Sequence, residues 1–339
     1  MEQKPCYILA IESSCDDTAA AVLKNDSVLS NVIANQTIHE AYGGVVPELA
    51  SRAHQQNIVP VVDQALKKAG IDKKDLNAIT YTRGPGLLGS LLVGTSFAKS
   101  LSMALDIPLI EVNHLQGHLL SHFIQDENPS PKFPFLGVTV SGGHTQIVRV
   151  SSHFNLEELG TTLDDAIGEA FDKCGKVMGL GYPAGPHIDR LAKEGNPMAF
   201  HFPIPKVPDL NVSYSGFKTA VINFLHKNQQ KNPAFIEENL ADLCASIQYT
   251  LIEIIFEKIK RAVDQTGITE IAIGGGVAAN SGLRTKLKDA AAKHKWTLHL
   301  PPFAYTTDNA AMIGIVGYFK FNEQRFGALD QSATARLPL

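Results

Sequence analysis

The segment Asn113–His122, NHLQGHLLSH, carries a histidine at every fourth residue: His114, His118 and His122. Side chains four apart share one face of a helix, so a helix here sets imidazoles in a row. Neutral imidazoles at i and i+4 are a two-point clamp for a metal ion. A partly buried helix with hydrogen-bonded histidines explains the spacing equally well. The zinc-protease pattern HExxH needs a glutamate directly after the first histidine as general base. Leu115 stands there, so peptide hydrolysis loses its main chemical support. His122, a turn further on, is expected outside the ligand set.

A third ligand would complete such a site. YTTDNAAMIG, Tyr305–Gly314, places Asp308 in a loop that enters a helix. The pattern alone favours Asp308 as the helix N-cap, a position aspartate fills well. If it joins the histidines instead, two imidazoles and one carboxylate with open positions suit Fe(II) or Zn. ESSCDDT, Glu12–Thr18, clusters Glu12, Asp16 and Asp17 in a turn of small residues. That turn suits a metal or phosphate site, although acidic turn residues are common.

Three further segments point to an anion or a nucleoside. VSGGHTQ, Val140–Gln146, has paired glycines whose backbone N–H groups can converge on an anion, or it is a plain hairpin turn. GGGVAANSGL, Gly274–Leu283, runs from a strand into a helix. It matches neither GxGxxG nor the Walker pattern, yet it permits close approach of a nucleotide, with Asn280 offering hydrogen bonds. Asp164–Asp189 contains Asp172, a YPAGP turn and Asp189. Carboxylates beside a backbone turn suit ribose hydroxyls, and a solvated acidic surface is the commoner case.

The elements that must position these groups alternate along the chain. Tyr7–Leu23 and Phe135–Val150 each read as strand, tight polar turn, strand, which looks like an internal duplication. Pro47–Gly70 has helical spacing and ends on a glycine C-cap. Ala78–Gly86 reads as a strand, Gly89–Leu105 as a buried helix and Ile107–Val112 as a strand. Leu240–Gly267 reads as a long amphipathic helix, and Glu270–Lys293 as strand, glycine turn and helix. Strands alternating with helices predict an α/β fold.

The chain has 339 residues, 44% of them hydrophobic and 19% charged, an ordinary globular composition. The opening residues show no secretory pattern, and no segment approaches the roughly 20 apolar residues of a membrane helix. Cys6, Cys15, Cys174 and Cys244 are far apart and read as reduced thiols. A cytoplasmic location is expected. The net charge of −4 excludes a protein that coats nucleic acid with its whole surface. Any such binding must use a local patch or a partner's charge.

In chain order, ESSCDDT, GGVVPELASRAH, TRGPGLLGSL, NHLQGH, VSGGHT, GEAFDKCGKVMGLGYPAGP, SYSGFKT, GGGVAANSGLR and YTTDNAAMIG span nearly the whole sequence. Together they resemble one family, the tRNA N6-adenosine threonylcarbamoyltransferases, once labelled O-sialoglycoprotein endopeptidases, in its bacterial form. The resemblance implies an actin-like, sugar-kinase-like fold of two duplicated α/β lobes, with mixed sheets flanked by helices. Residues 1–112 with a C-terminal helix at about 312–339 would form the first lobe and 113–311 the second, with the substrate cleft between.

The resemblance implies that His114, His118 and Asp308 hold one divalent metal, Fe(II) first and Zn second. It implies that Val140, Ser141, Gly142, Gly143 and His144 form the phosphate-side substrate loop. Asp172, Gly185, Asp189 and Asn280 match positions that hold the nucleoside and neighbouring groups, and Asp16 and Asp17 match acidic positions near the reacting end. The implied reaction moves the threonylcarbamoyl group of L-threonylcarbamoyl-AMP to N6 of adenosine 37 in tRNAs reading codons that begin with adenine, releasing AMP. The implied partners are tRNA, a catalytically inactive paralogue that forms a heterodimer, and a small P-loop ATPase, with no membrane. YPAGP stands for the usual YPGGP and SGFKT for SGLKT, and neither change touches a named ligand.

Overall fold

The computed structural model describes residues 5–339. Two compact units divide the chain, one of residues up to Pro131 together with Pro301–Leu339, the other Lys132–Leu300. The histidine segment and Asp308 therefore fall in one unit.

The first unit contains β1 (Tyr7–Glu12), β2 (Thr18–Lys24), β3 (Ser27–Ala34), α1 (Pro47–Ala69), β4 (Ala78–Gly84), α2 (Leu88–Leu105), β5 (Leu109–Asn113) and α3 (His114–Leu120). The second contains β6 (Phe135–Val140), β7 (Thr145–Ser152), β8 (Asn155–Thr161), α4 (Ile167–Val177), α5 (Ala184–Ala192), α6 (Ser215–Gln229), α7 (Phe235–Glu238), α8 (Leu240–Thr266), β9 (Glu270–Gly274), α9 (Ser281–His294) and β10 (Thr297–His299). α10 (Ala310–Asn322) returns to the first.

The first sheet runs β3-β2-β1-β4-β5 and the second, in matching order, β8-β7-β6-β9-β10. In each, the first three strands form an antiparallel meander and the last two pair parallel. The duplication expected from the two hairpins is present, and each hairpin gains a third strand.

The strands read as unbroken apolar runs because helices cover both faces of the first sheet. Successive side chains point to opposite faces. Leu9, Ile11, Ala20, Val22, Ile79 and Tyr81 join one core cluster with Ile58, Val61, Val62 and Ala65 of α1 and Ala98 of α2. The alternate residues meet α10, whose Gly314 and Gly317 lie against Leu23 and Thr80. Glu12 and Thr82 belong to this second set by parity, so they face the side where α10 lies.

The helix expected to be buried at Gly89–Leu105 is buried along one stripe only. Leu91, Gly94, Thr95 and Ala98 are covered, and Leu88, Leu92 and Met103 are exposed. By length and composition α2 is apolar enough to cross a membrane, contrary to the sequence expectation, but it packs against α1 and β4. In the second unit, α8 supplies Leu243, Ile247, Leu251 and Ile255 to a core shared with Phe171 of α4 and Phe217 of α6. All four cysteines are free.

Gly317 tests how tightly α10 is seated. A Cβ there would sit 2.7 Å from Thr80 Cβ and 2.8 Å from its Oγ1. Alanine gains about 1 kcal/mol of helix propensity over glycine, whereas overpacking costs about 1–3 kcal/mol. The clash involves the rigid root of a buried side chain, so it should win: Gly317→Ala is expected to lower the denaturation midpoint, and thermal unfolding reads the sign.

Candidate metal centre and nucleotide loops

β5 passes into α3 without a loop. The Asn113 side chain accepts hydrogen bonds from the N–H groups of Leu115 (2.9 Å) and Gln116 (3.3 Å), capping a helix whose first residue is His114. Gly117 lets this helix approach α10, since a Cβ there would lie 3.0 Å from Ile313 Cδ1. The cap of α10 is Asn309, which accepts from Met312 N at 3.0 Å, so the cap role expected for Asp308 falls to its neighbour. Asp308 lies just outside the helix, with Oδ1 3.2 Å from His118 Nε2 and 3.5 Å from His114 Nε2.

The ligand atoms of His114, His118 and Asp308 all lie within 4.8 Å of one another. His114 is 5% exposed and His118 is fully buried, with the two rings edge to face at 4.7 Å. Nδ1 of His118 has no hydrogen-bond partner, and Nε2 meets the Asp308 carboxylate at 3.2 Å without good hydrogen-bond geometry. So poorly satisfied a buried imidazole is costly, and a bond to a metal at one nitrogen would satisfy it. The donor set and its crowding fit one divalent ion of the Fe(II) or Zn kind. His122, in the short turn after α3, is not part of the three-residue group.

Beneath this group lies Glu12, 0% exposed at the end of β1. Its carboxylate accepts from Ser14 N (2.5 Å) and Thr82 Oγ1 (2.6 Å) and lies 3.1 Å from His114 Nδ1. Burial alone would drive the His114 ring neutral, but the Asp308 and Glu12 carboxylates overcome it and raise its pKa to about 9. Burial opposes the charge of Glu12, and His114 outweighs it, holding Glu12 below the usual carboxylate range. His118 has no such surplus, and burial keeps it below the ordinary histidine value.

The loop after Glu12 carries Asp16 and Asp17 beside the same group. Burial first, then the charges of Asp16, Asp308 and Glu12, push Asp17 up to about 7. The loop is tied down by His54 of α1, which is fully buried. Its Nε2 donates to the Cys15 carbonyl (3.0 Å), which leaves Nδ1 to accept from Thr18 Oγ1 (2.7 Å). Sequence reasoning missed both Glu12 as a partner of His114 and His54 as the tether. The usable signal was a glutamate closing an otherwise apolar strand.

In the second unit, Val140–His144 is the β6–β7 turn, closed by Ser141 N donating to the His144 carbonyl (2.9 Å) and His144 N donating to Ser141 Oγ (3.0 Å). Gly142 and Gly143 are exposed, and a Cβ on either would meet nothing within 4 Å. Gly168, at the start of α4, sits so close that its Cβ would lie 2.7 Å from the Ser141 carbonyl oxygen. Gly275 has φ +93° and would meet the Val140 carbonyl oxygen at 2.5 Å. The two glycine segments thus pack together, and Gly168 and Gly275 are requirements not recognised from the sequence.

Asp172 accepts from Ala184 N (2.7 Å). It is raised by burial, against the backbone N–H groups of Ala184 and Gly185, which favour its charge. Asp189 accepts from Ser281 N (3.1 Å) and Ser281 Oγ (2.8 Å). Asn280 caps α9 by accepting from Leu283 N (2.9 Å) and donates to Gln248 Oε1 (2.7 Å). Asp172, Gly185, Asp189 and Asn280 therefore gather around α5 and the start of α9.

Asp17 yields a stability test. A carboxyl raised above its unfolded value of 3.8 contributes stability that is full below that pH and is lost as pH rises through about 7. Asp17→Asn removes the loss. The metal-free variant is expected to melt above the parent at pH values over 7, with the gap closing toward the acid side, as thermal unfolding across pH would record.

The sequence pattern of the tRNA N6-adenosine threonylcarbamoyltransferases matches residues 27–315. A Christiangramia forsetii relative carrying that name is 62% identical over 337 residues, 99% of each chain. Among solved structures, full-length HypF in its phosphate- and nucleotide-bound form matches with TM-score 0.60 and 13% identity, over 97% of this chain and 47% of that one. Component A of the Acidaminococcus fermentans (R)-2-hydroxyglutaryl-CoA dehydratase matches with TM-score 0.53 and 15% identity, over 93% and 98%. At such identities the likeness speaks for the fold alone, and that fold is the actin-like, duplicated α/β type. By a match running almost end to end, the chain belongs to the tRNA N6-adenosine threonylcarbamoyltransferase family.

Proposed function

We propose that this chain transfers the threonylcarbamoyl group from L-threonylcarbamoyl-AMP to N6 of adenosine 37 in tRNAs that read codons beginning with adenine, releasing AMP. The observation that carries the reading is the convergence of His114, His118 and Asp308 beside the acidic Glu12–Asp17 loop, in a chain whose relatives carry the name of this transfer.

His114, His118 and Asp308 hold one divalent metal, Fe(II) first and Zn second, which when bound supplies Lewis-acid stabilisation of phosphate charge. The exposed backbone at Gly142 and Gly143 offers N–H groups to the donor's phosphate, with Val140, Ser141 and His144 shaping the turn. Asp172, Gly185, Asp189 and Asn280 receive the nucleoside and neighbouring groups. The adenosine N6 attacks the carbamoyl carbon, the bond from that carbon to the phosphate oxygen breaks, and AMP leaves. An amine conjugated to a purine is a weak nucleophile, so orientation and charge stabilisation must do most of the acceleration. The N6 proton passes to the acidic loop. Asp16 assists its removal, and Asp17 stands next to Asp16, its carboxyl held near 7 and matched to proton transfer at neutral pH.

The target base lies in an anticodon loop, where unpaired bases splay out at low cost. A net charge of −4 favours tRNA binding shared with other chains. The proposed partners are an inactive paralogue in a heterodimer and a small P-loop ATPase, in the cytoplasm.

Incubating the protein with both partners, unmodified tRNA and threonylcarbamoyl-AMP should yield the modified adenosine on nucleoside analysis. His118→Ala and Asp308→Ala should each cut the rate by about 10²–10³, with the bound metal lost in parallel. A wild-type protein that forms no product, or variants that keep full rate, would sink the reading.

A further inference from the structure

We propose that Glu12 is the positioning residue of the metal centre: it holds the proton of His114 on Nδ1 and so turns the Nε2 lone pair toward His118 and Asp308. The inference rests on reading those three residues as metal ligands and is independent of the transfer reaction.

The hydrogen-bond inventory around Glu12 leaves little choice. The Ser14 backbone N–H can only donate, and it reaches Oε1 at 2.5 Å. The Thr82 hydroxyl reaches Oε2 at 2.6 Å, the same oxygen that stands 3.1 Å from His114 Nδ1. A carboxylate serving these partners accepts at both oxygens. A bare Nδ1 lone pair would then face an anionic oxygen in a fully buried setting, where two acceptors repel. The proton therefore sits on Nδ1. Ser14 Oγ, also 3.1 Å from Nδ1, accepts a share of it. A neutral imidazole with Nδ1 protonated has its free lone pair on Nε2, the atom 3.5 Å from Asp308 Oδ1. A carboxylate behind a ligating histidine fixes tautomer and ring direction, and its loss lowers metal affinity about 10–100-fold.

Glutamine at this position inverts the arrangement while keeping the shape. Ser14 N–H must still meet an acceptor, so the amide oxygen is forced toward it. The amide NH₂ then faces His114 and donates to Nδ1. The imidazole proton moves to Nε2, which can no longer bind a metal.

The test compares Zn(II) affinity of the full-length wild type and Glu12→Gln by competition with a chromophoric chelator. Ring-¹⁵N histidine spectra of the Zn-loaded wild type are recorded alongside. The expected results are about 10–100-fold weaker binding by the variant, and a wild-type His114 protonated at Nδ1 and metal-bound at Nε2. Equal affinity in the two proteins, or a wild-type His114 ligating through Nδ1, overturns the role of Glu12 and leaves the metal reading standing. A wild type that binds no Zn(II) overturns the metal reading and this proposal together. Should the variant fail to fold, the wild-type spectra decide alone.

Discussion

A buried carboxylate and two buried imidazoles are crowded beneath the partly exposed Asp308, and this is the constraint around which the first unit is organised. Glu12 and His118 are fully buried and His114 nearly so. Isolated charges in such a place are prohibitive unless paired and hydrogen-bonded. Each charge here has an answer: Ser14 N–H and Thr82 hydroxyl for Glu12, Glu12 and Asp308 for His114. His118 is the least satisfied, with Nδ1 unpartnered and Nε2 meeting only the Asp308 carboxylate, without good hydrogen-bond geometry.

Geometry of this precision depends on close backbone approaches. Gly117 allows α3 onto α10, while Gly314 and Gly317 allow α10 onto the sheet. Those contacts set the separation between the histidine helix and the loop that bears Asp308. The second unit uses the same device for another end. Gly168 and Gly275 bring two backbone segments against the Val140–Ser141 carbonyls, and Gly142 and Gly143 leave the tip of the turn uncovered by side chains. One duplicated sheet plan thus carries a cluster of side chains able to hold a metal in one copy and an exposed backbone turn in the other.

The acidic loop between β1 and β2 is held in a conformation that burial and like charges disfavour. Burial and the neighbouring like charges lift Asp17 to about 7, an arrangement that costs the fold once the carboxyl ionises. Perturbed carboxyls of this kind gather at functional sites. His54, neutral and doubly hydrogen-bonded, holds the loop in this position from α1.

Much of the architecture was legible in the residues. Strand and helix periodicity located both hairpins, α1, α8 and α9, because burial of a face imposes its period on the sequence locally. The i, i+4 histidines and their lack of a following glutamate settled which chemistry to doubt. What tertiary structure decided was every relation across distant segments. Pattern favoured Asp308 as a cap, and only the fold shows Asn309 taking that role while Asp308 reaches histidines almost two hundred residues earlier in the chain. Glu12 looked like one more turn acid until strand parity and the position of α3 set it under His114. Side-chain type and spacing report which helix face or strand side a group occupies. They carry no information about which other segment that face will meet, since that is fixed by the packing of the whole core.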